Sequence, residues 1–422
     1  MTEERLIITR KTNNKFFLMI AVGVVLLIAG IIIMAAGGGG EHHAEGHEAA
    51  AAGHEAADWT TRLFVNLWMN NVYFTGIALI GTFFVAFNYV AYAGWPTLIK
   101  RVPEAMGYFL PIGGVIMLLV YLFGSHDIFH WTHEGLYVVD GPEYDPIIAG
   151  KSGYLNTPFF LIRMIVYFAL WILFSMWLRR NSINEDLYGG TDYYHKSIRL
   201  SAMFLVVFGI TSSTSAWDWV LSIDTHWFST MFGWYVFASW FVSGLAAITL
   251  TVILLKQNGY LRMVNTNHLH DLGKYVFAFS IFWTYIWFSQ FLLYWYANIP
   301  EESIYFIERL GGNGGIYKWV FFTNLIINFV FPFLVLMTRD AKRQMIMLKL
   351  VTIAILVGHW LDFYMMMMPG TMGAGAGIGF IEIGTALTFL GIFLLALTKG
   401  LTKASLVPLN HPFLEESVHH HV

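Results

Sequence analysis

The sequence predicts an all-α polytopic membrane protein with ten transmembrane helices, and three observations carry that reading. Of 422 residues, 57% are hydrophobic and only 12% charged, about half the charged share of an average soluble domain. Aromatics reach 17%, with 36 Phe, 21 Tyr and 16 Trp, beside 19 Met, more apolar surface than a water-facing exterior hides. Ten apolar stretches also match the roughly 20 residues that cross a hydrocarbon core about 30 Å thick. They are apolar all round and lack the alternation of transmembrane strands, so they are helices. A soluble globular enzyme is excluded.

The stretches cover approximately 16–36, 63–91, 107–124, 158–178, 197–221, 229–255, 272–298, 315–337, 345–367 and 378–397. The first follows Arg5, Arg10, Lys11 and Lys15. Its apolar run exceeds a signal-peptide core and the glycines at 37–40 make a poor cleavage site, so it reads as a retained anchor. The low-complexity segment 41–58, rich in His, Ala and Glu, reads as a solvated linker. The expected organisation is an anchor and linker at 1–62, one four-helix bundle at 63–228, a second at 229–377, and the tenth helix with its tail at 378–422.

Lys and Arg set the orientation. One side collects the four before the first helix, then Lys100, Arg101, Arg179, Arg180, Lys196, Arg199, Lys256, Arg262, Lys274, Arg339, Lys342, Arg343, Lys349, Lys399 and Lys403. The other side holds Arg62, Lys151, Arg309 and Lys318, with Arg163 inside a helix. This bias needs an even number of crossings and places both termini in the cytoplasm.

Helices two to five and six to nine read as two copies of one unit in the same orientation, because their loops alternate in the same basic and non-basic order. Their last helices end alike, in Ala216-Trp217-Asp218-Trp219 and His359-Trp360-Leu361-Asp362-Phe363. Such a parallel repeat sets two Asp-bearing helices at related positions.

An ionisable group inside a bilayer costs a few kcal/mol unless paired or wetted. On this topology His126, Asp127, Arg163, Asp218, Asp224, His226, His359, Asp362 and Glu382 all fall in the outer half. One reading is structural, with Arg163 paired to Asp218 or Asp362. The other is a polar cavity whose carboxylates and histidines pass protons. Quinol oxidation needs such groups, since it releases two protons with two electrons, and it needs an aromatic, lipid-accessible pocket. Trp217, Trp219, Trp227, Trp234, Tyr235, Tyr294, Trp295 and Tyr296 could line one, although Trp and Tyr also collect in interfacial belts.

With no cysteine, the chain forms no disulfide and holds no thiolate-bound iron–sulfur cluster or thioether-linked haem. A haem b would need two deep histidines, and only His359 lies deep. His126, His130, His133 and Glu134 have a spacing that suits a metal on one helical face, and an amphipathic interfacial helix explains it equally well. The expectation is therefore no cofactor and no metal in this chain. No basic patch tracks a nucleic acid. His419, His420 and His421 read as native, since Val422 follows them.

The stretch from Ser215 through Asp218, Ser222, Asp224, His226, Ser229 and Tyr235 to Gly244 resembles the segment joining the fifth and sixth helices of NrfD-type quinol-interacting membrane subunits. With the run from Asp271 through Gln290 to Tyr296 and the ending His-Pro-Phe-Leu-Glu-Glu-Ser at 411–417, it is similar to the ActF family of alternative complex III, a bacterial quinol:electron-acceptor oxidoreductase. The resemblance covers roughly residues 60–415 and places Asp218 on the family's outer-leaflet Asp. It implies two four-helix bundles with helices one and ten flanking them. It further implies a structural and proton-conducting or quinone-interacting subunit of a respiratory complex, with quinone or quinol as its small molecule. The implied partners are a homologous ten-helix quinol subunit, a multihaem cytochrome carrying haem c, an iron–sulfur subunit, lipids and, as a further candidate, a terminal oxidase. A secondary transporter with intramembrane carboxylates is the alternative. It should show Gly or Pro breaks paired between the two repeats, and Pro332 has no counterpart in the first.

Overall fold

The computed structural model describes residues 3–37 and 59–421; the His-rich linker lies outside them. Among the described residues ten helices are long and apolar enough to cross a membrane: α1 (Arg10–Ala36), α2 (Trp59–Val90), α3 (Arg101–Ile128), α4 (Thr157–Tyr188), α5 (Asp192–Ile223), α6 (Phe232–Gln257), α7 (Thr266–Ala297), α8 (Lys318–Leu336), α9 (Met345–Gly375) and α10 (Phe380–Thr402). No strand occurs among the described residues. The protein is an all-α, multi-pass membrane protein.

Helices α2 to α5 pack as a ring of neighbours, and α6 to α9 pack as a second ring. The rings meet along α2, α5, α6 and α9, while α1 lies on α10, which rests on α2 and α3. Burial ranks the helices accordingly. Of the most apolar window of each helix, 89% is buried in α2 and 83% in α6, against 11% in α1. The tight α2–α6 seam needs Gly76, because a Cβ there would sit 1.9 Å from the Trp240 indole.

Two helices depart from plain α geometry. In α3 a 3-10 turn at Gly107–Phe109 precedes Leu110–Ile128, whose second residue is Pro111. In α8 a π segment, Ile326–Val330, precedes Pro332. Proline cannot donate to the carbonyl four residues back and its ring crowds that carbonyl, and a π turn relieves the strain. These breaks occupy the second helix of one ring and the third of the other, so they are not the paired breaks of a transporter.

At the end of the molecule rich in Lys and Arg, hereafter the basic end, three cations and two carboxylates are buried together, with the half-buried Asp186 beside them. Arg101 pairs with Glu104 at 3.0 Å and with Asp186; Arg179 pairs with Glu104 at 3.0 Å and Lys100 with Glu185 at 3.2 Å. The chain's last segment fastens both rings here. Ser417 donates to the Trp95 carbonyl at 2.7 Å, His420 pairs with Asp271 at 2.5 Å, and Asn265 donates to the His420 carbonyl at 3.0 Å. His411 is buried between Tyr89 and Tyr194.

The sequence between 126 and 137 does not form the single amphipathic helix that its His spacing also allowed. Helix α3 stops at Ile128, and two short 3-10 turns follow at His130–Thr132 and Glu134–Tyr137.

Candidate functional site

Asp218 lies in the last turns of α5 and Arg163 near the start of α4, which begins at an Asn156 cap accepting from the Phe159 amide at 3.0 Å. The guanidinium grips the carboxylate with both arms, Nε to Oδ2 at 2.8 Å and Nη2 to Oδ1 at 3.0 Å. Tyr167, one helical turn beyond Arg163 and therefore on the same face, donates to Oδ2 at 3.1 Å. The guanidinium also lies 3.9 Å and 4.2 Å from the Tyr154 and Phe159 ring centres. This forked, charge-assisted geometry is the strongest that Arg and a carboxylate make.

Asp362 is bound differently. Tyr235 donates to Oδ1 at 2.5 Å, Asn324 donates to Oδ1 at 2.7 Å, and Trp283 donates to Oδ2 at 2.9 Å. Each of the three other helices of the second ring thus contributes one donor to a single fully buried carboxyl group. No Lys or Arg among the described residues pairs with it. His359, one turn back on α9, has Nδ1 3.7 Å from Oδ2 and shares a hydrogen bond of 2.9 Å with the Ser239 hydroxyl instead. Its Nε2 is buried without a hydrogen-bond partner. Gly358 makes room for this arrangement, since a Cβ there would meet the Asn328 side-chain oxygen at 2.1 Å, and Asn328 in turn donates to Asn324.

Beside this hub stands Arg309, which sequence reasoning counted only as a loop cation. The segment after α7 folds as a short helix, Pro300–Leu310, and delivers Arg309 into the bundle. Arg309 donates to Asp224 Oδ2 at 3.0 Å and to the carbonyls of Met365 at 2.9 Å and Met366 at 3.2 Å. The Met365 carbonyl needs an outside donor because the residue four positions on is Pro369, which has no N–H. That proline was the sequence signal for a donor here. The guanidinium lies 3.3 Å from the centre of the Tyr305 ring, which stacks on Trp227 at 3.9 Å. Burial works against the charge of Arg309, and Tyr305 and Asp224 outweigh it, holding its pKa above the ordinary value.

A cavity of about 20 Å³ separates Arg309 from the hub, lined also by Tyr235, Gln290, Phe306 and Asn324. It has room for one water. Gln290 is buried and its side-chain oxygen has no partner. On the other side of Phe306 lies an open groove of about 390 Å³, lined by Phe291, Tyr294, Trp295, Asn298 and Ser303 among others. Phe306 lines both spaces.

The remaining candidates stand apart. Glu382 accepts from Arg62 at 2.7 and 2.8 Å and from Asn66 at 3.0 Å. Asp127 accepts from the Thr61 hydroxyl at 2.8 Å, His126 lies 3.1 Å from the Thr132 hydroxyl, and His226 pairs with Asp145 at 2.5 Å at the surface. Of the nine candidates the structure brings Arg163 together with Asp218 and His359 near Asp362; Asp224 reaches the cavity only through Arg309, and Asp362 only through Tyr235 and Asn324. Of the expected aromatic lining, Tyr294 and Trp295 face the groove, Tyr235 reaches the hub, Trp219 is buried in the first ring, and Trp234 and Tyr296 are exposed. No group of three or more His, Asp or Glu among the described residues has the geometry of a metal site.

Neither protein-family models nor curated proteins provide a match to this sequence.

Proposed function

We propose that this chain is a cofactor-free integral membrane subunit of a quinol-oxidising respiratory complex of the alternative complex III type, an ActF-like subunit, and that its second ring accepts protons released by quinol. The observation that carries the reading is Asp362, a carboxyl group held by neutral donors from three other helices, with a water-sized cavity between it and an aromatic groove at the lipid boundary. A carboxylate without a fixed cation can take up a proton without leaving an opposite charge stranded. Tyr235 lines the cavity and bonds Asp362, so a proton delivered to its oxygen passes on as its own moves to the carboxylate. His359 and Ser239 continue the chain. A planar quinol headgroup suits the groove at Tyr294 and Trp295, with Phe306 between it and the cavity.

On this reading the basic end is cytoplasmic, both termini included, and the groove opens to the periplasmic side of a bacterial inner membrane. Electrons leave to partner chains that carry haem c and iron–sulfur centres, alongside a homologous ten-helix quinol subunit and, as a further candidate, a terminal oxidase. Asp218, bound to Arg163, serves to hold α4 against α5. The test is quinol-driven proton release by the purified complex carrying Asp362→Asn or Phe306→Trp. Assembly with depressed proton release is expected for the first, and slowed quinol oxidation for the second. Wild-type rates in both would end the proposal.

A further inference from the structure

The geometry points to an anionic phospholipid site in the groove between α4 and α5 at the basic end. This groove, about 440 Å³ in volume, is lined by Arg180, Lys196 and Arg199, with Asn181 as an added donor and no carboxylate. Four other cations at this end are matched: Lys100, Arg101 and Arg179 are in buried ion pairs and the half-exposed Lys274 pairs with Asp271. Arg180 and Arg199 are exposed and have no carboxylate within ion-pair distance among the described residues, and Lys196 rests 4.9 Å from the centre of the Tyr193 ring. Three convergent cations without a counter-charge call for an anion.

The apolar side of the groove decides which anion. Trp177 and Met203 line it one helical turn deeper than Arg180 and Arg199. Beneath them Leu173, Met176, Val206 and Ile210 are exposed along the same two membrane-crossing helices. A phosphate placed among the three cations would therefore have apolar surface running from it toward the bilayer centre on both helices, the form of a phosphodiester headgroup with its acyl chains. Trp177 sits where an indole anchors at a membrane interface, and basic pockets between helices are the known physical basis for holding anionic headgroups. Free phosphate would leave that stripe unused, and an acidic protein segment would have to lie within the acyl region.

Native mass spectrometry of the full chain in detergent, titrated with phosphatidylglycerol or with phosphatidylcholine of the same chains, tests the assignment. Preferred binding of phosphatidylglycerol is expected, falling roughly thirtyfold in Arg180→Gln/Arg199→Gln and unchanged in Arg10→Gln/Lys11→Gln, which removes equal charge from the same end. Lys196→Gln alone should weaken binding several-fold, and Arg180→Lys/Arg199→Lys should retain most of it, which separates lost charge from lost fold. Equal affinity in wild type and the Gln pair, equal loss in the control pair, or displacement of the lipid by millimolar inorganic phosphate would each overturn it.

Discussion

Asp218 and Asp362 occupy the last helix of their respective rings, yet the two rings treat a buried carboxylate in opposite ways. The first ring supplies Arg163 in a two-armed pair and closes it with Tyr167. The second supplies Tyr235, Trp283 and Asn324, all neutral donors, and sets His359 alongside. The first arrangement fixes charge and geometry together. The second leaves the carboxyl group without a fixed counter-ion, and two of its donors, Tyr235 and Asn324, line a cavity. Similar scaffolds thus carry an ion pair in one ring and a carboxyl group among neutral donors in the other.

Breaking the ion pair should have the largest effect. Removing one member of a buried ion pair costs about 3–5 kcal/mol because the other stays uncompensated, so Asp218→Asn should lower the unfolding midpoint in detergent sharply. Arg163→Met with Asp218→Leu should recover most of the loss. Asp362→Asn leaves no stranded cation but turns one acceptor oxygen into an amide N–H donor facing a buried donor, so its cost should be about 1–3 kcal/mol. If the two single variants melt alike, the contrast between the rings is not one of charge.

The first ring should also respond to pH at its other end. Burial, with Lys100 and Arg101 nearby, pushes His411 down to about 2. A histidine depressed in the folded state contributes stability that is fully present above its unfolded pKa near 6.5 and is lost as pH falls below it, by roughly 1.4 kcal/mol per unit. Limited proteolysis should therefore release the tail faster at pH 5 than at pH 7.5, and His411→Gln should flatten that difference. The smallest effect belongs to the half-exposed His226–Asp145 pair, where His226→Gln should cost under about 1 kcal/mol.

Composition and helix length made the ten crossings legible, because a bilayer imposes one ruler on every helix. The spacing of Lys and Arg located the basic end, and the ion pair of Arg163 with Asp218 was one of two that the sequence allowed. The partners of Asp362 were not legible, since Tyr235, Trp283 and Asn324 come from three other helices and look like ordinary membrane-helix residues until packing brings them to one point. Arg309 was missed because its helix is short and amphipathic, too polar to register as a crossing. Its purpose follows from Pro369, a residue in another helix entirely.

The π segment Ile326–Val330 has a consequence for how the hub could be lost. It holds one residue more than an unbroken α-helix would over the same length, which turns everything before it, Asn324 included, by about 100° relative to Pro332 and beyond. Deleting a single codon there would give a straighter helix of nearly the same length and hydrophobicity. It would also swing Asn324 away from Asp362. The polar hub is thus written partly in the residue count of α8, where a scan of substitutions, taken one position at a time, would pass over it.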